Sequence, residues 1–330
     1  MAGFFVTIQS MDIKENIALA PYTYMKVGGS ARFFFEADTE KELDEALAWA
    51  ENKNVPVAIL GRGSNVLVAD KGFDGLVIHM RCSELSCDGE RVYAGAGVSM
   101  AQVSAFSLRN NLSGFEWAAG IPGTVGGSVY GNAGCFGGEM KDVVEHVFFL
   151  QSSSKSHISN SDCFFNYRDS IFKKHKDWII LGATLKLRHV SDEEKIKKQT
   201  EIQHMMRERV AEQAIGERTM GSTFKGVSLT DESVGCMRQY DARFQKPDNA
   251  CWVFENRRGM ISAGFLIEQA GLKGKKIGGV GISHKHANFL VCDDAGTAEQ
   301  VVMLIAFVKE YVHRKFGVML EEEIQYIGFD

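Results

Sequence analysis

Between Gly114 and Gly138 the chain reads G-F-E-W-A-A-G-I-P-G-T-V-G-G-S-V-Y-G-N-A-G-C-F-G-G, with nine of twenty-five positions glycine. Glycine weakens helices and strands and is kept where the backbone must turn sharply or approach something closely. The run also holds Ile121, Val125, Val129 and Tyr130, so it is no flexible linker. It reads either as an ordered backbone surface pressed against a flat or phosphorylated ligand, or as a buried set of irregular turns.

A second glycine motif lies upstream. Val55-Pro56-Val57-Ala58-Ile59-Leu60 is a short apolar run, which predicts a buried strand, and it leads into Gly61-Arg62-Gly63-Ser64-Asn65. Glycines and small polar residues after a strand can turn successive N–H groups inward as an anion nest. No helical run follows at once, so this is not the dinucleotide G-x-G-x-x-G pattern, and no G-x-x-x-x-G-K-[ST] sequence occurs.

At 330 residues the chain can hold two or three domains, each with its own core. Its 45 % hydrophobic and 24 % charged content is that of a soluble globular protein, and a net charge of −5 speaks against nucleic acid as a partner. The seven cysteines are odd in number and loosely spaced, as expected for reduced thiols in a cytoplasmic protein. Zinc spacing is missing, so no metal is expected. No apolar run approaches the ~18 residues of a membrane span, and the N-terminus lacks the basic start and apolar core of a signal peptide. Composition leaves the oligomeric state open.

Periodicity and caps organise the rest. Thr39-x-x-Glu42, Ser99-x-x-Gln102, Ser191-x-x-Glu194 and Thr297-x-x-Gln300 each predict a helix start. Strands are expected at 31–35, 55–60, 76–78, 92–97, 143–150, 178–188 and 318–327. The fold class is α+β. A charged helix over about 192–214 marks the main boundary, giving domains 1–191 (lobes of about 1–80 and 81–191) and 192–330, with the last strand returning toward the first domain.

Several motifs together carry a family resemblance: T-Y-M-K-V-G-G (23–29), G-R-G-S-N-V-L-V-A-D (61–70), G-I-P-G-T-V-G-G-S-V-Y-G-N-A-G (120–134), Y-R-D-S (167–170), G-S-T-F-K (221–225), S-H-K-H-A-N-F (283–289) and L-E-E-E-I (320–324). In this order, over almost the whole chain, they resemble the UDP-N-acetylenolpyruvoylglucosamine reductases of peptidoglycan precursor synthesis. The resemblance implies a two-lobed, vanillyl-alcohol-oxidase-like FAD-binding domain, a C-terminal α+β substrate domain, non-covalent FAD and NADPH as reductant. It implies hydride addition to the methylene of an enolpyruvyl ether, with charge building on the neighbouring carbon and its carboxylate, and then a proton delivered to that carbon. Gly61, Arg62, Gly63, Ser64, Asn65, Gly123, Thr124, Val125, Gly127 and Gly131 are the implied cofactor-binding residues.

The implied catalytic residues are Arg168, Ser222 and Glu323. A guanidinium offers a carboxylate a rigid fork and stays charged. A weak acid such as Ser222 can protonate an enolate-like carbon if it is well placed. On a strand Glu321 and Glu323 share a face while Glu322 points away, and the motif favours Glu323. Plain alternatives stand beside each: a surface salt bridge, a turn serine and a solvated acidic edge. Tyr167, Lys225, Asn256, His286 and Asn288 are expected to meet the small sugar-nucleotide substrate, although a lone His286 equally fits a structural histidine. The chain departs from the family where Gly226-Val227 replaces Asn-Pro after Lys225. An insert of about 227–260 follows, with Arg238, Arg243 and Lys246, read here as a lid beside the diphosphate with Asn256 returning to the vacated place. No extra tyrosine-bearing loop is visible, which indicates the shorter branch. Other readings are a different FAD-dependent oxidoreductase of this fold, or a non-catalytic sugar-nucleotide-binding relative.

Overall fold

The computed structural model describes residues 11–152, 154–228 and 260–329. In the first lobe the strand Ser30–Ala37 leads into the helix Glu40–Lys53. Both arms of the expected capping box form: Thr39 Oγ1 accepts from Glu42 N at 3.2 Å and Glu42 Oε2 from Thr39 N at 3.0 Å. The helix stops at Asn54, whose φ of 52° is left-handed, a conformation that a short polar residue tolerates. The strand Phe73–Met80 lies between Ser30–Ala37 and Val57–Leu60, parallel to both, and Lys14–Ala18 adds an antiparallel edge.

The second lobe is an antiparallel sheet in the order Ser154–Ser159, Val144–Gln151, Ile179–Lys186, Arg91–Gly95, Leu85–Asp88. The lobes share one core: Leu76 and Ile78 of the first sheet pack in the same cluster as Val147, Phe149 and Leu185 of the second.

The third part is the antiparallel sheet Thr219–Ser222, Phe289–Cys292, Val280–Ile282, Lys276–Ile277. The helix Ala298–Phe316 covers it with the apolar stripe Val301, Leu304, Ile305, Val308 and Val312, all buried. Met25, Val27 and Leu67 of the first lobe belong to this core. Asp70 adds a polar tie, since its carboxylate accepts from the N–H groups of Ala298 and Glu299, each at 2.9 Å.

Some elements differ from expectation. The charged helix runs Asp192–Glu212 and buries no side chain. The expected strand 318–327 is regular only over Gln325–Ile327, which pairs in parallel with Val66–Val68. Before it, residues 321–323 run against 223–225 through a bridge between Phe224 and Glu322. Inside the glycine run a helix forms at Val125–Tyr130 that the glycine content conceals. Thr124 caps it, and Gly126 brings it against Ala96, where a Cβ would lie 2.9 Å away. At the insert, Val227–Ser228 pairs with Met260–Ile261. The proposed lid itself, with Arg238, Arg243, Lys246 and Asn256, lies outside the described residues. No described helix is long and apolar enough to cross a membrane.

Candidate active site

The turn that carries Arg168 is built before its charge is used. Asn166 and Asp169 exchange both backbone hydrogen bonds at 3.1 Å, which leaves Tyr167 and Arg168 at the tip. Arg168 has φ 53°, a conformation that normally falls to glycine or asparagine and costs other residues on the order of 1 kcal/mol. The end of the glycine run clamps this turn. Asn132, wholly buried, gives its amide N–H groups to Asn166 O at 2.9 Å and Glu139 Oε2 at 2.8 Å. The Ser170 hydroxyl donates to Tyr130 O at 2.7 Å.

So held, the guanidinium lies among main-chain carbonyls and one acid. Nη2 donates to Gly134 O at 2.8 Å and Nη1 to Asn132 O at 3.4 Å. Nε is 2.7 Å from Glu323 Oε1, but off the N–H axis, so this buried N–H has no aligned acceptor. The group also rests over the Tyr167 ring, Cζ 5.3 Å from its centroid. Tyr167 reaches on to the strand after Ser222, its hydroxyl accepting from Gly226 N at 3.0 Å.

Glu323 is placed by main-chain pairing. Its N–H donates to Thr223 O at 2.9 Å, and Lys225 N donates to Glu321 O at 2.8 Å. The expected alternation holds: Glu321 meets Lys225 Nζ at 3.2 Å, Glu323 meets Arg168, and Glu322 turns away to Lys309 at 2.7 Å. Ser222 precedes Thr223 directly, after Gly221 at φ 77°. Arg168 and Glu323 thus meet from distant parts of the chain, and the backbone partner of Glu323, Thr223, is the residue after Ser222.

Other candidates make contacts within the fold. Both ends of the buried Asn288 amide are spent on Phe224: Oδ1 accepts its N–H at 3.0 Å and Nδ2 donates to its carbonyl at 2.8 Å. Asn288 therefore fixes the Ser222–Lys225 segment. Its own N–H reaches His286 Nδ1 at 3.2 Å. That requires a neutral ring, consistent with the downward pKa shift that burial, and then Lys273, impose.

The two glycine loops face each other across the lobes. A Cβ on Gly61 would sit 2.7 Å from Thr124 Oγ1, and one on Gly123 would sit 3.8 Å from Ser64 Oγ. Beside them opens a polar cavity of about 330 Å³ that reaches Asp38, Arg62, His79, Gln102 and Thr124. Gly127 N is drawn to Thr124 Oγ1 at 3.4 Å, and Gly131 ends the short helix. Val125 N–H bonds Val98 O at 2.9 Å and its side chain is fully buried. Asn65 Nδ2 donates to Glu323 O at 3.1 Å and its carbonyl accepts from Gln325 N at 2.9 Å, which couples the loop to the candidate catalytic acid.

Sequence reasoning missed Lys173. It lies on the single helical turn Ile171–Lys174 and sends Nζ back to Arg168 O at 2.6 Å. Burial and then the nearby Lys225 lower its pKa. The only hint was its spacing from Arg168, which in a K-K pair reads as ordinary surface. Among the described residues no cluster of His, Cys, Asp and Glu is suited to a metal.

Residues 213–327 match the family model for the UDP-N-acetylenolpyruvoylglucosamine reductase C-terminal domain, and residues 31–154 match that for an FAD binding domain. A UDP-N-acetylenolpyruvoylglucosamine reductase of Solibacter usitatus is 34 % identical over 97 % of this chain and 98 % of its own length. The chain belongs to the UDP-N-acetylenolpyruvoylglucosamine reductase family. Another family member, from Caldanaerobacter subterraneus, is 35 % identical over 95 % of this chain and 93 % of its own. The crystal structure of the family's enzyme from Thermus caldophilus superposes with a TM-score of 0.73 at 28 % identity, covering 96 % of this chain and 99 % of that one. The chain is thus an FAD-dependent oxidoreductase of α+β fold with the two-lobed FAD-binding domain. The facing glycine loops suit that cofactor: Gly61, Gly63, Ser64, Gly123 and Thr124 are the residues that would hold it, with Arg62 and Thr124 also reaching the polar cavity beside them.

Proposed function

We propose that this protein reduces the enolpyruvyl group of UDP-N-acetylglucosamine enolpyruvate with NADPH, forming UDP-N-acetylmuramate for peptidoglycan in the cytoplasm. Residues 1–191 hold the cofactor and 192–330 the substrate. The observation that carries this reading is the buried Arg168 guanidinium against Glu323, with one N–H lacking an aligned acceptor, beside the segment that bears Ser222.

When bound, FAD would supply the hydride that reaches the methylene carbon. Arg168 neutralises the charge that develops on the substrate carboxylate, a role in which a fixed donor in a dry site acts most strongly. Glu323 holds the guanidinium in place. Ser222 Oγ gives its proton to the neighbouring carbon and regains one from solvent. Lys225, whose partner Glu321 is largely exposed, is placed to exchange that weak surface pair for substrate phosphate. Tyr167 borders the same space.

The test is spectral. Purified protein loaded with FAD should be yellow, bleach with NADPH, and recover its colour under anaerobic conditions on adding the enolpyruvyl sugar nucleotide. Bleaching without recovery would indicate another oxidoreductase of this fold, and no bleaching a binding protein.

A further inference from the structure

We propose that Lys173 is a positioning residue for the reaction: its ammonium, anchored on the Arg168 carbonyl, holds residue 168 in its left-handed backbone and so keeps the guanidinium at the reacting carboxylate. This rests on the function proposed above for Arg168.

The need for such a residue follows from the backbone. A non-glycine residue at φ 53° persists only where its surroundings over-determine it. The turn's two hydrogen bonds at 3.1 Å fix Asn166 and Asp169 but leave the Arg168 carbonyl to find its own donor. Lys173 Nζ supplies it at 2.6 Å. A charge-assisted donor is about twice as strong as a neutral one, so the anchor is of the size that the strain demands.

The lysine is itself held for this task. Phe172 before it is fully buried, Lys173 N bonds Ser170 O at 3.2 Å, and Nζ lies 5.9 Å from the centre of the Tyr130 ring. Tyr130 also carries the carbonyl that receives Ser170 Oγ at 2.7 Å, so ring and turn belong to one rigid unit. The charged groups acting on the ammonium are Asp169 and Glu323, which favour it, and Arg168 and Lys225, which oppose it. Burial and the two cations prevail, so the ammonium loses its proton below its ordinary 10.5. A side chain present only for solubility would not be kept partly buried with its ammonium on a main-chain carbonyl.

The experiment compares native, Lys173→Met and Lys173→Arg proteins, each loaded with FAD. Bleaching by NADPH should be near native in all three. Recovery with the sugar nucleotide should slow about tenfold to a hundredfold in Lys173→Met, mainly in the maximal rate and less in the half-saturating concentration. Lys173→Arg should restore most of it. The native rate of recovery should fall toward alkaline pH as the ammonium is lost, and Lys173→Met should lack that limb. A crystal structure of Lys173→Met should show residue 168 relaxed to negative φ and the guanidinium withdrawn from Glu323. This last readout needs no substrate, so it still decides the positioning role if native protein fails to respond to the sugar nucleotide. Unchanged recovery with the alkaline limb intact, or an unmoved residue 168, would overturn the proposal.

Discussion

Arg168 and Glu323 meet at 2.7 Å although one sits on a hairpin tip of the second lobe and the other on the segment that returns from the C-terminal core. Both are mostly buried; Arg168 is held by the backbone bonds of its own turn and Glu323 by main-chain pairing with Thr223. Arg168→Lys keeps the charge but loses the planar fork. It should slow recovery of flavin colour by the sugar nucleotide about 10²–10³-fold while leaving bleaching by NADPH near native. Glu323→Gln should act in the same direction. Stopped-flow absorbance in the flavin band separates the two half-reactions, and equal losses in both would contradict the assignment.

Ser222→Ala removes only a hydroxyl from the end of the strand Thr219–Ser222. Bleaching by NADPH should be spared and the second half-reaction slowed ~10²–10⁴-fold, the usual worth of a positioned general acid. A structural role would instead appear as a loss of FAD content or thermal stability without that asymmetry.

Gly61→Ala places a methyl 2.7 Å from Thr124 Oγ1 and must displace either that capping side chain or the facing loops. Overpacking of this kind costs about 1–3 kcal/mol. If it falls on the bound state, FAD affinity should drop about fivefold to a hundredfold, which fluorescence titration of the apoprotein would show. Thr124→Ser, which removes one methyl and keeps the cap, should bind FAD nearly as native.

FAD should be held without a covalent bond. The loop Gly61-Arg62-Gly63-Ser64-Asn65 offers no His or Cys to attach it. After acid precipitation the yellow colour should stay in the supernatant, and flavin in the pellet would disprove this.

His286 should impose an acid limit on stability. Its folded pKa lies below 6.5, so the folded state takes up a proton less readily than the unfolded chain. The stabilisation is complete above about pH 6.5 and is lost as pH falls through the folded value. Protonation would also remove the Nδ1 acceptor from Asn288 N–H and loosen the clamp on Phe224. The urea midpoint should therefore decline from about pH 7 to 5, and His286→Gln should flatten the decline. An unchanged slope in the variant would sink the idea.

Local physics made much of this molecule legible without coordinates. The Thr39, Ser99, Ser191 and Thr297 caps all receive the N–H three residues on, because a cap needs nothing beyond its own helical turn. The alternation of Glu321 and Glu323 against Glu322 was readable because the side-chain period of an extended segment is two. The glycine motifs announced close backbone approach because no other residue tolerates it. What the sequence could not show are contacts that exist only once distant segments meet. Asn288, Val125 and Asn65 are motif residues, but only the fold reveals that their polar groups face Phe224, Val98 and Glu323. The Val125–Tyr130 helix lies hidden in a glycine run because its stability comes from packing against Ala96 and its Thr124 cap rather than from propensity. Lys173 and Asp70 look like ordinary surface charges. Tertiary structure alone sets one against a strained carbonyl and the other at the start of a helix from a different core. A side chain's chemistry is local, but which groups share a desolvated space is decided by the packing of the whole chain.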